Sequence, residues 1–194
     1  ISAQPQDLKY QGEDTTVEIG DNTTIRECAT INKGTSDRMK TVIGKNCWIM
    51  AYCHIAHDCI VGDHCIFSNN STLAGHVTIG DFVVLAGMVA VQQFVSVGSH
   101  AFVTGGSLVR KDVPPFVKGA REPMSYVGIN SVGLRRRGFT TEKIREIQNI
   151  YRILYQMNYN NTQAVQIIEA EMEATPERDE ILQFIRDSQR GIMK

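Results

Sequence analysis

The chain lacks any imbalance of charge: 20 Lys and Arg stand against 21 Asp and Glu, for a net charge of −1, so no global field draws it to nucleic acid. No apolar run approaches the roughly 20 residues that cross a bilayer, so no stable membrane insertion is expected. No secretory signal is visible, and the odd cysteine number of 5 fits a reducing compartment; a cytoplasmic location is expected. No initiator methionine opens the chain. Ile1 instead falls in phase with Ile19, which leads one to expect further coils upstream.

What the chain does have is a period of six. From Ile43 onward the sixth residues are Ile49, Ile55, Val61, Phe67, Leu73, Ile79, Leu85, Val91, Val97, Val103 and Val109, every one apolar, and Ile19, Ile25 and Ile31 share the phase. Two residues before each stands a small or β-branched side chain, among them Cys47, Cys53, Cys59 and Cys65. These thiols read as compact hydrophobes rather than disulfides or metal ligands, and only Cys28 is out of register. Six residues suit a short strand plus a corner, with three such sides closing a coil of eighteen. Successive coils would stack at about 4.8 Å. A glycine follows the apolar site at Gly44, Gly62, Gly80 and Gly98, where a corner with positive φ is expected. The fold class is therefore mainly β, a parallel β-helix followed by a small α-helical domain.

Three regions are expected. Residues 1–117 form the β-helix, with external loops at 2–16 and 33–40, where Asp7, Glu13 and Asp37 fall on core positions. Asp112-Val-Pro-Pro115 stops it, because proline cannot donate to a ladder. Residues 118–139 read as an irregular connection. In 140–194 the apolar spacing changes to three and four, giving helices from Thr140, over about Thr162–Ala174, and from Thr175-Pro176 to about Ser188.

Positions eighteen apart stack on adjacent coils, so Asp58 meets His76, and His57 meets Gly75, on one outward strip. A histidine beside a carboxylate is the simplest general base, since imidazoles ordinarily titrate near pH 6.5. A glycine N–H, unobstructed by a side chain, can steady an oxyanion. No serine elbow is evident, which favours direct attack by an acceptor hydroxyl. His64 and His100 read as ordinary solvated side chains.

His54-Ile-Ala-His57-Asp58, Leu73-Ala-Gly75-His76, Asp112-Val-Pro-Pro and Gly133-Leu-Arg-Arg-Arg137-Gly-Phe resemble the UDP-N-acetylglucosamine O-acyltransferase family over essentially the whole chain. The resemblance implies a left-handed β-helix. It also implies transfer of a 3-hydroxyacyl group from acyl carrier protein to the 3-hydroxyl of UDP-N-acetylglucosamine, the first step of lipid A biosynthesis. By the same resemblance His57 is the base, Asp58 orients it and Gly75 is the oxyanion donor. His54 and His76 contact substrate. Gln6, Asp7 and Lys9 form the sugar- and phosphate-binding loop. Asn130, Arg136 and Arg137 hold the nucleotide and phosphopantetheine ends, Gly105 admits a long acyl chain, and Gln93 lies near that chain. No metal and no cofactor are expected, the acyl donor riding on the phosphopantetheine of acyl carrier protein. Gln92 and Asn32 stand where histidines can occur.

Since one outer strip cannot enclose two large substrates, a homotrimer with sites between neighbouring prisms is expected. Three alternatives stand beside this reading. One is another hexapeptide acyltransferase, acting on an amine or using coenzyme A. A second is a β-helical carbonic anhydrase, disfavoured by Asp81 standing where its third histidine belongs. The third is a non-catalytic β-helix, which the His/Asp strip argues against.

Overall fold

The computed structural model describes residues 1–194. Fifteen short strands come first: β1 (Thr16–Ile19), β2 (Thr24–Ile25), β3 (Thr30–Ile31), β4 (Lys40–Ile43), β5 (Trp48–Ile49), β6 (His54–Ile55), β7 (Ile60–Val61), β8 (Ile66–Phe67), β9 (Thr72–Leu73), β10 (Thr78–Ile79), β11 (Val84–Leu85), β12 (Ala90–Val91), β13 (Ser96–Val97), β14 (Phe102–Val103) and β15 (Leu108–Val109). Two further strands follow, β16 (Val117–Ala120) and β17 (Ser125–Ile129), and then α1 (Ser131–Arg136), α2 (Thr141–Gln156), α3 (Asn161–Glu171) and α4 (Pro176–Asp187).

Every third strand shares a sheet, so β1 to β15 wind into a three-sided prism. The first face carries β1-β4-β7-β10-β13, the second β2-β5-β8-β11-β14-β16-β17, and the third β3-β6-β9-β12-β15. Pairing is parallel with an eighteen-residue step, Ile60 opposite Thr78 and Thr78 opposite Ser96. The first coil is longer: Thr16 pairs with Lys40 and Thr30 with His54, a step of 24, because the loop at 33–40 is inserted there. The sixth-residue column from Ile43 to Val109 points inward and is almost wholly buried, as are the four in-register cysteines.

Three expectations need correction. The positive φ of each corner falls not on the glycines but three residues past the inward site, at Asn46, Tyr52, Asp58, His64, Asn70, His76, Phe82, Met88, Phe94 and His100, all between 56° and 65°. Gly44, Gly62, Gly80 and Gly98 are required instead by close stacking. A Cβ at Gly80 would lie 2.6 Å from the Ser99 amide nitrogen, and one at Gly98 2.5 Å from that of Pro115.

Nor is 118–139 irregular. β16 extends the second face, Phe102 opposite Lys118, and β17 returns antiparallel to it before α1 begins. Gly119, Pro123 and Gly128 lie within this hairpin: Gly119 packs beneath Met124 and Met193, and Gly128 supplies a φ of 126°. Nor do the prolines end the coil, since Val113 before them bridges Val97 and β16 after them pairs parallel with β14.

The helices begin at Thr140, Asn160 and Thr175, whose side chains accept from backbone N–H groups in the first turn. They cover the last coil rather than standing apart. The buried Tyr151 hydroxyl donates to the Pro115 carbonyl (2.5 Å), Ser188 donates to the Asp112 carboxylate (2.6 Å), and their apolar side chains join the prism core in one cluster.

Candidate active site

The corner between the third and first faces carries two columns. His57, Gly75 and Gln93 form one; Asp58, His76 and Phe94 form the next. His57 Nδ1 lies 2.8 Å from Asp58 Oδ2. The Asp58 side chain is fully buried, and its remaining acceptor sites are filled by the loop at 33–40: Oδ1 accepts from the Thr35 N–H (2.9 Å) and the Arg38 N–H (3.2 Å), and Oδ2 from the Thr35 hydroxyl (2.7 Å). Burial alone would push this carboxyl up. The hydrogen bonds from His57 and Thr35, with the charge of His76, outweigh it and hold the group below the usual carboxylate range. An ionised Asp58 only accepts, so the imidazole proton sits on Nδ1 and Nε2 is left as the acceptor.

The outward strip expected from the sequence is thus roofed over. His57, Asp58 and His76 are all buried. His76 meets His57 edge to face at 5.0 Å, stacks on Phe94 at 4.6 Å, and places Nδ1 3.1 Å from Asp37 of the same loop. Asp7 and Lys9 line a cavity of about 230 Å³ with Glu13, Asp37, His76 and Phe94.

Gly75 is confined by the imidazole, since a Cβ there would lie 2.6 Å from His57 Cε1 and 2.7 Å from Nε2. Its carbonyl accepts from Phe94 N–H (3.2 Å), while its own N–H enters no backbone hydrogen bond. A free amide therefore lies beside a free imidazole nitrogen. One group of side chains has the composition of a metal site, Asp7, His57 and His76, with ligand atoms within 4.8 Å of one another. Asp81, the carbonic anhydrase departure, accepts from Asp63 N–H at 2.7 Å.

Other expected residues lie elsewhere. His54, half-buried on the third face, bonds through Nδ1 to the Thr30 hydroxyl (2.7 Å), and burial beside His57 lowers its affinity for a proton. Gln6 and Gln93 are exposed. Gly105 lies at the corner between the second and third faces, where a Cβ would lie 3.1 Å from the Gly87 carbonyl oxygen. Asn130, Arg136 and Arg137 line a groove of about 510 Å³ over the second face, floored by Ile66, Val84 and Phe102. Asn130 caps α1 and donates to the His100 carbonyl (2.9 Å). Arg137 donates to the Phe82 carbonyl (2.9 Å), with its guanidinium over the Phe82 ring. Arg135 and Arg136 occupy the last turn of α1, where the helix dipole favours cations. Thr35, Asp37, Arg38 and Phe94 escaped the sequence reading, whose one signal for the first three was the broken phase at 33–40.

Residues 112–193 match the family described as UDP N-acetylglucosamine O-acyltransferase, domain 2, and residues 40–75 match the bacterial transferase hexapeptide of six repeats. The acyl-[acyl-carrier-protein]–UDP-N-acetylglucosamine O-acyltransferases of Myxococcus xanthus and Paracidovorax citrulli are 43% and 48% identical to the whole chain, which covers 76% of each. The chain belongs to the UDP-N-acetylglucosamine O-acyltransferase family. Among solved family members, the UDP-N-acetylglucosamine acyltransferase of Bacteroides fragilis superposes with a TM-score of 0.98 at 46% identity, covering all of this chain and 76% of that one. The Acinetobacter baumannii structure gives 0.96 at 39%, with the same coverage. The fold is the left-handed parallel β-helix of these acyltransferases.

Proposed function

We propose that the protein moves a 3-hydroxyacyl group from acyl carrier protein to the 3-hydroxyl of UDP-N-acetylglucosamine, the opening step of lipid A biosynthesis. The names of its relatives support the substrates. The observation that carries the chemistry is the unpaired Gly75 N–H beside His57, whose Nδ1 is held by a buried carboxylate.

His57 Nε2 takes the proton of the sugar hydroxyl as its oxygen attacks the thioester carbonyl. The Gly75 amide donates to the oxyanion of the tetrahedral intermediate. Collapse breaks the carbon–sulfur bond, and the imidazolium returns its proton to the departing phosphopantetheine thiolate. The products are an ester and a free thiol, with no external cofactor. Asp7, Lys9 and His76, around the cavity next to the base, are placed to hold the sugar and phosphates; His54 and Gln6 stand at its approaches. Arg136, Arg137 and Asn130 take the nucleotide and phosphopantetheine ends, and Gly105 and Gln93 border the acyl chain.

The groove of Arg136 and Arg137 covers the second face, whereas the His57 corner joins the third and first. The prism separates them in a single chain. A homotrimer in which one chain's groove faces its neighbour's base resolves this, and the protein works in the cytoplasm without membrane insertion. Incubation with UDP-N-acetylglucosamine and 3-hydroxyacyl carrier proteins of graded length should consume at least one donor and release an O-acylated sugar nucleotide by mass spectrometry. No product with any donor would end the reading.

A further inference from the structure

The loop at 33–40 is the insertion whose residues hydrogen-bond the carboxylate of the acid–base couple. Several corner residues with positive φ are open to solvent, Met88 being 65% and Tyr52 62% exposed, yet Asp58 at the equivalent place is 0% exposed. The difference is the loop. Thr35, itself 6% exposed, donates from its backbone to one Asp58 oxygen and from its hydroxyl to the other. Arg38 adds its own N–H to Oδ1, and its guanidinium donates to the Asp58 carbonyl (2.8 Å). From below, the Thr41 hydroxyl accepts from the Asp58 N–H (2.9 Å). A carboxylate has about four acceptor sites. Three are taken by the loop, and the fourth faces His57.

This saturation has a chemical consequence. A carboxylate with spare acceptor sites can swing or shift its charge as the imidazole gains a proton. One that is pinned on both oxygens cannot, so the imidazole orientation is inherited from the loop. The same loop carries Asp37 to His76, and its Lys33 ammonium donates to the Glu13 carbonyl of the loop bearing Asp7 and Lys9.

We propose that Thr35 is a positioning residue for acyl transfer, its hydroxyl and amide fixing the Asp58 carboxylate so that His57 Nε2 is presented beside Gly75. The proposal rests on the acyl-transfer reading for its kinetic consequence and on His57 alone for its spectroscopic one.

Thr35→Val keeps volume and the amide bond and removes the hydroxyl. It should lower kcat about ten- to a hundredfold with KM little changed, the scale of a lost buried bond to a charged group. Thr35→Ser should restore it. Independently of turnover, the imidazole NMR titration of His57 should move upward in Thr35→Val, because the carboxylate has lost a competing donor, and return in Thr35→Ser. The groups facing His57 in that titration are Asp58, His76, Asp7 and His54, with Asp37 behind His76. Thr35→Ala serves the same comparison if the valine variant does not give the wild-type circular dichroism. An unmoved His57 titration in the folded valine or alanine variant would overturn the proposal. Absence of acyl transfer by the wild type, with the His57 shift present, would overturn the proposed reaction and leave the positioning role standing.

Discussion

At the scale of single residues, the His57–Asp58 couple and Gly75 carry the testable chemistry. His57→Ala should reduce kcat by about a hundred- to ten-thousandfold, the usual share of a general base, and should also lower thermal stability, because the buried Asp58 carboxylate loses a partner. Gly75→Ala should act through a different route. Its methyl would press on the His57 ring, so kcat should fall while circular dichroism stays native. Full activity in that variant would remove the amide and its close approach from the mechanism. Asp58 also makes a stability prediction. Its folded-state acidity is enhanced, so the stabilisation is present above the ordinary carboxylate pKa of about 4 and is lost as pH falls through the lower folded value. Acid unfolding followed by circular dichroism should show a steeper loss below about pH 4 in the wild type than in Asp58→Asn. The couple was legible in the sequence because eighteen-residue spacing alone places Asp58 against His76. Thr35 was not, since a loop that breaks phase announces that it leaves the prism but not where its side chains return.

At the scale of elements, corner and loop divide the labour. The corner between the first and second faces stacks His64, Phe82, His100 and Phe116 ring on ring, at 4.7 to 5.4 Å. Burial, with Arg137 nearby, pushes the His100 imidazole down to about 4. A histidine held neutral in the fold contributes stability above its ordinary pKa near 6.5, and this is lost as pH falls from there toward 4. His100→Phe continues the stack without a proton site. It should flatten the thermal midpoint between those pH values, a difference on the order of 1 kcal/mol once solvent screening is allowed for. The sequence reading treated His100 as an ordinary solvated side chain because inward and outward phases are easily counted, whereas a left-handed corner has no signature in hydrophobic period. The same gap explains why positive φ was assigned to Gly44 and its equivalents, when steric contact between coils is what selects glycine there. The hairpin of β16 and β17 was missed for a related reason. Glycine and proline density marks turns well and says nothing about the strands between them.

At the scale of the molecule, the core is one continuous column, and cutting it anywhere should be felt throughout. Leu85→Ala, at a site with no solvent exposure, should cost about 2–5 kcal/mol in denaturant unfolding. The distribution of functional groups over opposite sides of the prism yields a sharper experiment. Chains carrying His57→Ala and chains carrying Arg136→Ala with Arg137→Ala should each be inactive. Unfolded together and refolded, they should recover about a quarter of wild-type activity, the fraction of boundaries that by random mixing joins an intact base to an intact groove. Failure to complement would place both halves of the site within one chain.

The left-handed corners bear on how such a molecule acquires chemistry. Each storey of the prism reserves three backbone positions, one at each corner, where aspartate, asparagine and histidine are better tolerated than most side chains. Reactive groups can therefore be exchanged storey by storey at the vertices while the greasy column behind them is left untouched. Invention and solidity occupy separate lanes of the same polymer.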